Sequence, residues 1–214
     1  MLKGIAASQG IALAKVYKLQ QPVLNVVKTE AKPDEIEKLE KAFVKTIADI
    51  EIIKERASQS LSEEELAIFD AHLMMANDPE LKDQIVGMIQ SEGVNAEYAA
   101  QSVANMTISM FESMDDAYFK ERAADVKDVM FRLQCNLAGA EIPDLTTINE
   151  EVIIVAEDLT PSDTAQLNRK FTLGFATQIG GRTSHSAIMA RSLEIPAVVG
   201  VKEILDTVKY GDYI

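Results

Sequence analysis

The middle of this chain repeats apolar side chains at helical spacing, whereas both ends carry short strand-like runs. Ile36, Leu39, Phe43, Ile47 and Ile50 recur every three or four residues, so they line one face of a helix. Such a face needs partner helices to cover it. The segment 33–143 is therefore predicted to be an all-α helical bundle, with enough residues for a core of its own.

Start signals divide this segment into several helices. Pro33 suits the first position of a helix, and Asp34 and Glu35 then face its positive end. Ser62 followed by Glu65 has the spacing of a capping box, and Asp78 before a proline is a cap for the next helix. Two further periodic stretches cover 95–114 and 116–137.

The two ends favour strands separated by short helices. Val152–Ala156 is a short apolar run typical of a buried strand, and similar strand signals occur in 1–20. Such alternation of strands and helices indicates an α/β domain. We predict that 1–20 and 145–214 form one discontinuous α/β domain, split by the inserted bundle, so that the whole chain is α+β. The other predicted elements of this domain are a short helix at 162–167 and strands at 171–177, 197–201 and 213–214.

Composition restricts the class of partner. The chain is 47% hydrophobic and 26% charged, as expected of a globular protein, and its formal net charge of −13 would repel nucleic acid. A basic protein partner is compatible with that charge. The sequence has no apolar run of membrane-helix length and no signal peptide, and its single cysteine, Cys135, suits a reducing cytoplasm.

The segment from Gly180 to Gly200 contains the strongest functional signal. Gly180 and Gly181 give the backbone freedom to approach an anion, and Thr183 and Ser184 lead into a helix whose first turn contains His185. A helix N-terminus has unpaired N–H donors and a positive partial charge. An imidazole held there can attack phosphorus, and the same place stabilises the phosphoryl group that it receives.

The run resembles the phosphohistidine signature of the phosphoenolpyruvate-utilising enzymes, most closely that of the enzyme I family of the bacterial sugar phosphotransferase system. Three further segments resemble motifs of that family, and together they span nearly the whole chain. They are Lys3–Ala12, Glu121–Asp125 and Asp158–Leu167.

This resemblance assigns roles to particular residues. It implies that His185 accepts a phosphoryl group and that the Thr164 hydroxyl is hydrogen-bonded to this histidine at rest. The supporting residues of the active site are Gly180, Gly181, Arg182, Thr183 and Ser184. The residues alone leave Arg182 open between a phosphoryl clamp and an exposed charge, and Thr183 and Ser184 could serve as N-caps only.

The resemblance also implies a docking face for the phosphocarrier protein HPr on the bundle. That face is acidic with an apolar centre, and it receives the basic face of HPr. Without the resemblance, the carboxylates would form a solvated helix face and His72 would be a surface or helix-packing residue. The implied docking residues are Glu63, Glu64, His72, Met74, Met75, Asp78, Glu80, Leu81 and Arg122.

No metal-ligand spacing, Walker A loop or dinucleotide fingerprint is visible, so no cofactor is expected in this chain. The resemblance implies magnesium and the phosphoenolpyruvate site in a following C-terminal domain, which also contains the main dimer interface. We therefore expect this chain to be monomeric and the full-length enzyme to be a homodimer. Two alternatives are a swivelling phosphohistidine domain of another such enzyme, for example pyruvate phosphate dikinase, and a non-catalytic protein-binding module.

Overall fold

The structure is a computed structural model that describes residues 2–214, without the side chains of residues 117, 118, 120 and 121. The chain divides into two compact units. One contains the chain up to Gln21 together with Gln59–Leu61 and Pro143–Ile214, and the other contains Pro22–Ser58 and Ser62–Ile142. The predicted combination of an α/β sheet with a helical bundle is confirmed.

The first unit is built on a five-stranded sheet. Its strands are β1 (Ile5–Ser8), β2 (Lys15–Lys18), β3 (Val152–Ala156), β4 (Thr172–Thr177) and β5 (Ala197–Val199), in the spatial order β1-β5-β4-β3-β2. Strand β1 pairs antiparallel with β5, and all other pairs are parallel. All five residues of β3 are buried, as a strand covered on both faces requires.

Short helices complete this unit. They are α6 (Pro161–Thr164) after β3, α7 (His185–Ser192) after β4 and α8 (Ile204–Thr207) after β5, with a 3₁₀ turn at Leu145–Thr147.

Residues 211–214 lie antiparallel along the outer edge of β2. Val16 N–H donates to the Asp212 carbonyl (2.7 Å), Gly211 N–H donates to the Val16 carbonyl (2.9 Å), and Ala14 and Ile214 exchange backbone hydrogen bonds (3.2 Å each). The segment predicted as a strand at 213–214 is thus paired with the sheet edge, but it forms an isolated bridge between Tyr213 and Lys15 and not a regular strand.

The second unit is a bundle of five helices: α1 (Glu35–Ala57), α2 (Glu63–Ala76), α3 (Pro79–Glu92), α4 (Ala96–Glu112) and α5 (Ala117–Ala138). Helix α1 packs against α2 and α5, and α4 packs against α3 and α5. The core contains Leu39, Ile85, Val103 and Leu133, all at most 1% exposed. Among residues 2–214, no helix has the length and apolar character needed to cross a bilayer.

Both predicted caps are present, whereas the predicted first residue of α1 is not. The Ser62 hydroxyl accepts a hydrogen bond from Glu65 N–H, and the Glu65 carboxylate accepts one from Ser62 N–H, which completes the capping box. Asp78 caps α3 through Glu80 N–H at 2.9 Å. The start of α1 differs from the prediction, because Pro33 precedes the helix and the first helical residue is Glu35.

Candidate active site

Two loops leave the same edge of the sheet side by side. Because β3 and β4 are parallel, both loops begin at the carboxyl ends of their strands, where open α/β sheets bind ligands. Gln178 N–H donates to the Ala156 carbonyl (3.0 Å), and Ile179 N–H donates to the Glu157 carbonyl (2.9 Å). These bonds extend the strand pairing into the loops and bring the segment before α6 next to the segment before α7.

His185 is the first residue of α7, and Ser184 is the N-cap. The Ser184 hydroxyl accepts a hydrogen bond from Ala187 N–H (3.3 Å) and donates to the Gly181 carbonyl (2.8 Å). The same hydroxyl therefore caps the helix and closes the preceding turn. This arrangement places the half-buried imidazole at the positive end of the helix.

The two glycines of the turn, Gly180 and Gly181, differ in whether their position could accept a side chain. Gly180 has a φ of 109°, a conformation that L side chains rarely adopt, and an added Cβ would lie 3.4 Å from both Ser184 Oγ and Val199 Cβ. Gly181 has an ordinary φ and open space where a Cβ would be. The turn therefore requires Gly180, whereas a side chain at Gly181 would extend into open space.

Arg191 connects the turn to the sheet, a role that no local sequence signal indicates. Its Nη1 donates to the carbonyl of Arg182 (3.1 Å) and to the carbonyl of Ala7 in β1 (3.2 Å). The Arg182 side chain is exposed and lines a cleft of about 770 Å³ with Arg191 and Glu194. A peptide plane is rigid, so fixing the Arg182 carbonyl also fixes the direction of the Thr183 N–H.

Thr164 lies at the end of α6, which packs against α7. It is completely buried, and its hydroxyl lies 3.1 Å from the Thr160 carbonyl and 3.0 Å from the Pro161 carbonyl. The single hydroxyl hydrogen is directed to these carbonyls, so the oxygen can serve other groups only as an acceptor. Helix α6 itself is fixed by a capping box between Thr160 and Asp163.

Asp158 is a second residue whose role is not apparent from its motif. Its carboxylate accepts a hydrogen bond from Leu159 N–H at 2.8 Å, and the neighbouring Ser186 hydroxyl also interacts with it. Although the residue as a whole is exposed, burial of the carboxyl group raises the pKa of Asp158, and the interactions with Leu159 and Ser186 oppose that rise. Since Ser186 follows His185 directly, this contact joins the β3 loop to the first turn of α7.

The predicted docking residues in the bundle unit have different exposures. Met74 is 76% exposed, Met75 and Leu81 are half-buried, and a third of the Arg122 side chain reaches solvent. The carboxylate residues of the set, Glu63, Glu64, Asp78 and Glu80, are all exposed.

His72 differs from the other predicted docking residues because it is buried. The prediction that its side chain lies on the docking face is therefore corrected. Its residue exposure is 0%, its ring Nε2 lies 3.4 Å from Asp125 Oδ1, and its ring packs edge-on against Phe69. It cannot contact a docked protein directly, because its partners within the bundle surround it. Without the resemblance, His72 is interpreted as a surface residue or as a helix-packing residue. Its burial supports the helix-packing interpretation.

Among residues 2–214, the structure brings together no group of three or more His, Cys, Asp or Glu side chains that could hold a metal ion.

Two family descriptions match successive parts of the chain. PEP-utilising enzyme, N-terminal, matches residues 3–122, and PEP-utilising enzyme, mobile domain, matches residues 148–214. The phosphoenolpyruvate-protein phosphotransferase of Enterococcus faecalis is 55% identical over 217 residues, covering 100% of this chain and 38% of the relative. That of Bacillus subtilis is 53% identical, covering 98% of this chain and 37% of the relative.

Two solved structures of Enzyme I proteins are similar to this chain. An NMR structure of Enzyme I (nEIt) has a TM-score of 0.86 and 46% identity, covering 100% of this chain and 88% of that one. The N-terminal domain of Enzyme 1 - Nitrogen has the same fold, with a TM-score of 0.66 at 24% identity. An α/β sheet unit with a helical bundle is thus the architecture that this chain shares with these two structures. The chain belongs to the phosphoenolpyruvate-utilising enzymes, and it spans about 38% of the length of the curated relatives it matches.

Proposed function

We propose that this chain carries a phosphoryl group on His185, which it receives from phosphoenolpyruvate and passes to HPr. The observation that supports this most directly is the position of His185 at the first residue of α7, beside the glycine turn. The relatives are phosphoenolpyruvate-protein phosphotransferases. Their name describes the transfer of a phosphoryl group from phosphoenolpyruvate to a protein, which is the reaction that this relay would perform. The phosphoenolpyruvate site and any magnesium site would lie in the part of such an enzyme that has no counterpart in these 214 residues.

The reaction needs little from the protein beyond position and charge. An unprotonated ring nitrogen of His185 gives its electron pair to phosphorus while the other nitrogen keeps its proton. The P–O bond of phosphoenolpyruvate breaks, and its electron pair leaves with the enolate of pyruvate. In the second half, an acceptor group of HPr attacks the same phosphorus, the P–N bond to His185 breaks, and its electron pair returns to the ring nitrogen. The positive end of α7 stabilises the phosphoryl charge in both halves.

The direct test is to measure the transfer of labelled phosphate from phosphorylated HPr to this chain, because this transfer requires no phosphoenolpyruvate site. We expect label to enter the chain reversibly, to be lost in acid and kept in alkali, and to map to the peptide containing His185 by mass spectrometry. His185→Ala should take up no label while its circular dichroism and unfolding midpoint stay near those of the wild type. Label retained in that variant, or found on His72, would refute the assignment.

HPr would dock on the bundle through the exposed carboxylates of α2 and α3. We expect Glu64→Lys with Glu80→Lys to weaken HPr binding at least about tenfold, because both reversals replace attraction by repulsion. Glu92→Lys is the matched control, since it lies at the other end of α3, about 18 Å from Glu80 along the helix axis. Equal effects of the control and the double reversal would place the docking face elsewhere.

A further inference from the structure

A buried carboxylate on α5 joins the buried His72 to Arg122, a third of whose side chain is exposed. Asp125 Oδ1 lies 3.4 Å from His72 Nε2, and Asp125 Oδ2 accepts a hydrogen bond from Arg122 Nη1 at 2.9 Å. The exposed fractions of the three side chains rise in sequence, from 1% for His72 to 8% for Asp125 and 34% for Arg122. The cluster therefore runs from the interior of the bundle to its surface.

Hydrogen-bond roles determine the form of the histidine. A carboxylate can only accept, so the ring nitrogen that faces it, Nε2, must carry the hydrogen. The other nitrogen, Nδ1, is buried and has no hydrogen-bond partner among the described residues. A proton on Nδ1 would thus have no acceptor. The ring with its hydrogen on Nε2, packed edge-on against Phe69, is the form that these contacts favour.

One carboxylate oxygen of Asp125 faces the core and contacts His72, whereas the other faces the surface and binds Arg122. Its first oxygen is bound by a ring that cannot move without disturbing the buried Phe69. Its second oxygen fixes Arg122, one turn earlier on α5, by a charge-assisted bond. Burying a carboxylate costs free energy that an apolar side chain would not. In return, the arrangement gives the guanidinium a fixed direction at the surface.

We infer that Asp125 and His72 are positioning residues, which orient the Arg122 guanidinium for contact with an acceptor group on the docked phosphocarrier. This inference rests on the proposed docking function. It gives His72 an indirect part in docking although its side chain does not reach the surface. A guanidinium held in place before docking loses less conformational freedom on binding than a mobile one.

A double-mutant cycle separates positioning from general stabilisation. Asp125→Asn keeps the shape but replaces one acceptor oxygen by an NH₂ donor, so it cannot accept from both partners. We expect it to weaken HPr binding about three- to tenfold when Arg122 is present, and Arg122→Ala to weaken binding about tenfold. Asp125→Asn added to Arg122→Ala should then have no further effect on affinity, although it should still lower the unfolding midpoint.

His72→Phe extends the cycle, because it keeps the ring and removes the Nε2–H donor. We expect a smaller loss of HPr affinity, again absent in the Arg122→Ala background, and faster rotation of the Arg122 guanidinium by NMR in the unbound chain. Asp128→Asn is the matched control, as Asp128 is a 4% exposed carboxylate one turn further along α5. It should change stability without changing affinity.

Each outcome bears on a different conclusion. Equal losses of affinity for Asp125→Asn with and without Arg122, or guanidinium rotation unchanged in both variants, would overturn the positioning role. Unchanged binding in Arg122→Ala would overturn it as well, and would remove Arg122 from the docking face. If label still passed from phosphorylated HPr to His185 in that variant, the phosphohistidine function would stand on its own.

Discussion

Thr164 combines complete burial with a hydroxyl hydrogen already directed to backbone carbonyls. Toward His185 it can only accept, so the proposed resting bond requires a protonated ring nitrogen on that side. Thr164→Val keeps the shape and removes this acceptor. We expect a change in the His185 tautomer ratio and titration midpoint in NMR, without unfolding.

Thr207→Val is the control for Thr164, because Thr207 makes the same type of bond, to the Glu203 carbonyl at 2.8 Å in α8. It should leave the His185 titration unchanged. If Thr164→Val also left it unchanged, Thr164 would have a purely local role in ending α6.

Arg191 supports the other side of the candidate active site through two carbonyls. Arg191→Met keeps much of the chain length but removes both donors, so the turn before His185 should open more often. We expect amide exchange in residues 181–184 to rise about tenfold, the equivalent of roughly 1.4 kcal/mol, with slower phosphoryl uptake by His185.

Two variants accompany Arg191→Met. Arg191→Lys can restore one donor and should fall between wild type and Met. Arg169→Met removes an exposed ion pair with Glu194 in the same unit and should affect neither measurement. Unchanged exchange in Arg191→Met would mean that the turn is held by its own Ser184 and Gly180 contacts.

The start of helix α4 depends on a residue from another helix. Asn95 occupies the N-cap position, but its side-chain oxygen accepts from Thr29 N–H at 3.0 Å and makes no cap bond. Glu35, the first residue of α1, supplies the missing acceptor: its Oε2 accepts from Ala96 N–H at 2.9 Å. The two helix starts are thereby joined by one carboxylate that is 5% exposed as a residue.

Glu35→Gln should therefore destabilise the bundle although the side chain keeps its size. It removes the negative charge from the positive end of α4, and we expect a loss of about 1–2 kcal/mol in the free energy of unfolding by urea titration. Glu37→Gln, two residues along, disrupts an exposed pair with Lys41 and should cost less than about 0.5 kcal/mol. Equal losses would show that the buried charge of Glu35 contributes no more to stability than the exposed charge of Glu37.

The charge of the whole molecule makes a separate prediction about association. With a net charge of −13, the chain should attract a basic partner over distances set by the screening length, about 10 Å at 0.1 M salt and 3 Å at 1 M. Stopped-flow binding should show an HPr association rate that falls steeply with salt, with little change in dissociation. The Glu64→Lys, Glu80→Lys variant should have a shallower slope, and a salt-independent rate would contradict electrostatic docking.

At the same scale, the sequence determined which secondary structures form. Helical periodicity in the middle and short apolar runs at the end predicted the helices of the bundle and strands β3 to β5, because amphipathic spacing and strand propensity are local properties. Local chemistry also placed the capping box at Ser62, the cap at Asp78 and the helix start at His185. Each of these depends on residues no more than a few positions apart, so no knowledge of packing was needed.

Only the tertiary structure decided which distant groups meet. Thr46 is completely buried on α1 because Asn136, 90 residues later on α5, donates to its hydroxyl at 3.0 Å. Likewise, Glu35 caps α4, Arg191 binds a carbonyl of β1, and His72 turns inward to Asp125. A sequence pattern states that a polar side chain exists, but its hydrogen-bond partner depends on how helices and strands pack, and that partner decides whether the side chain is buried or reaches the surface.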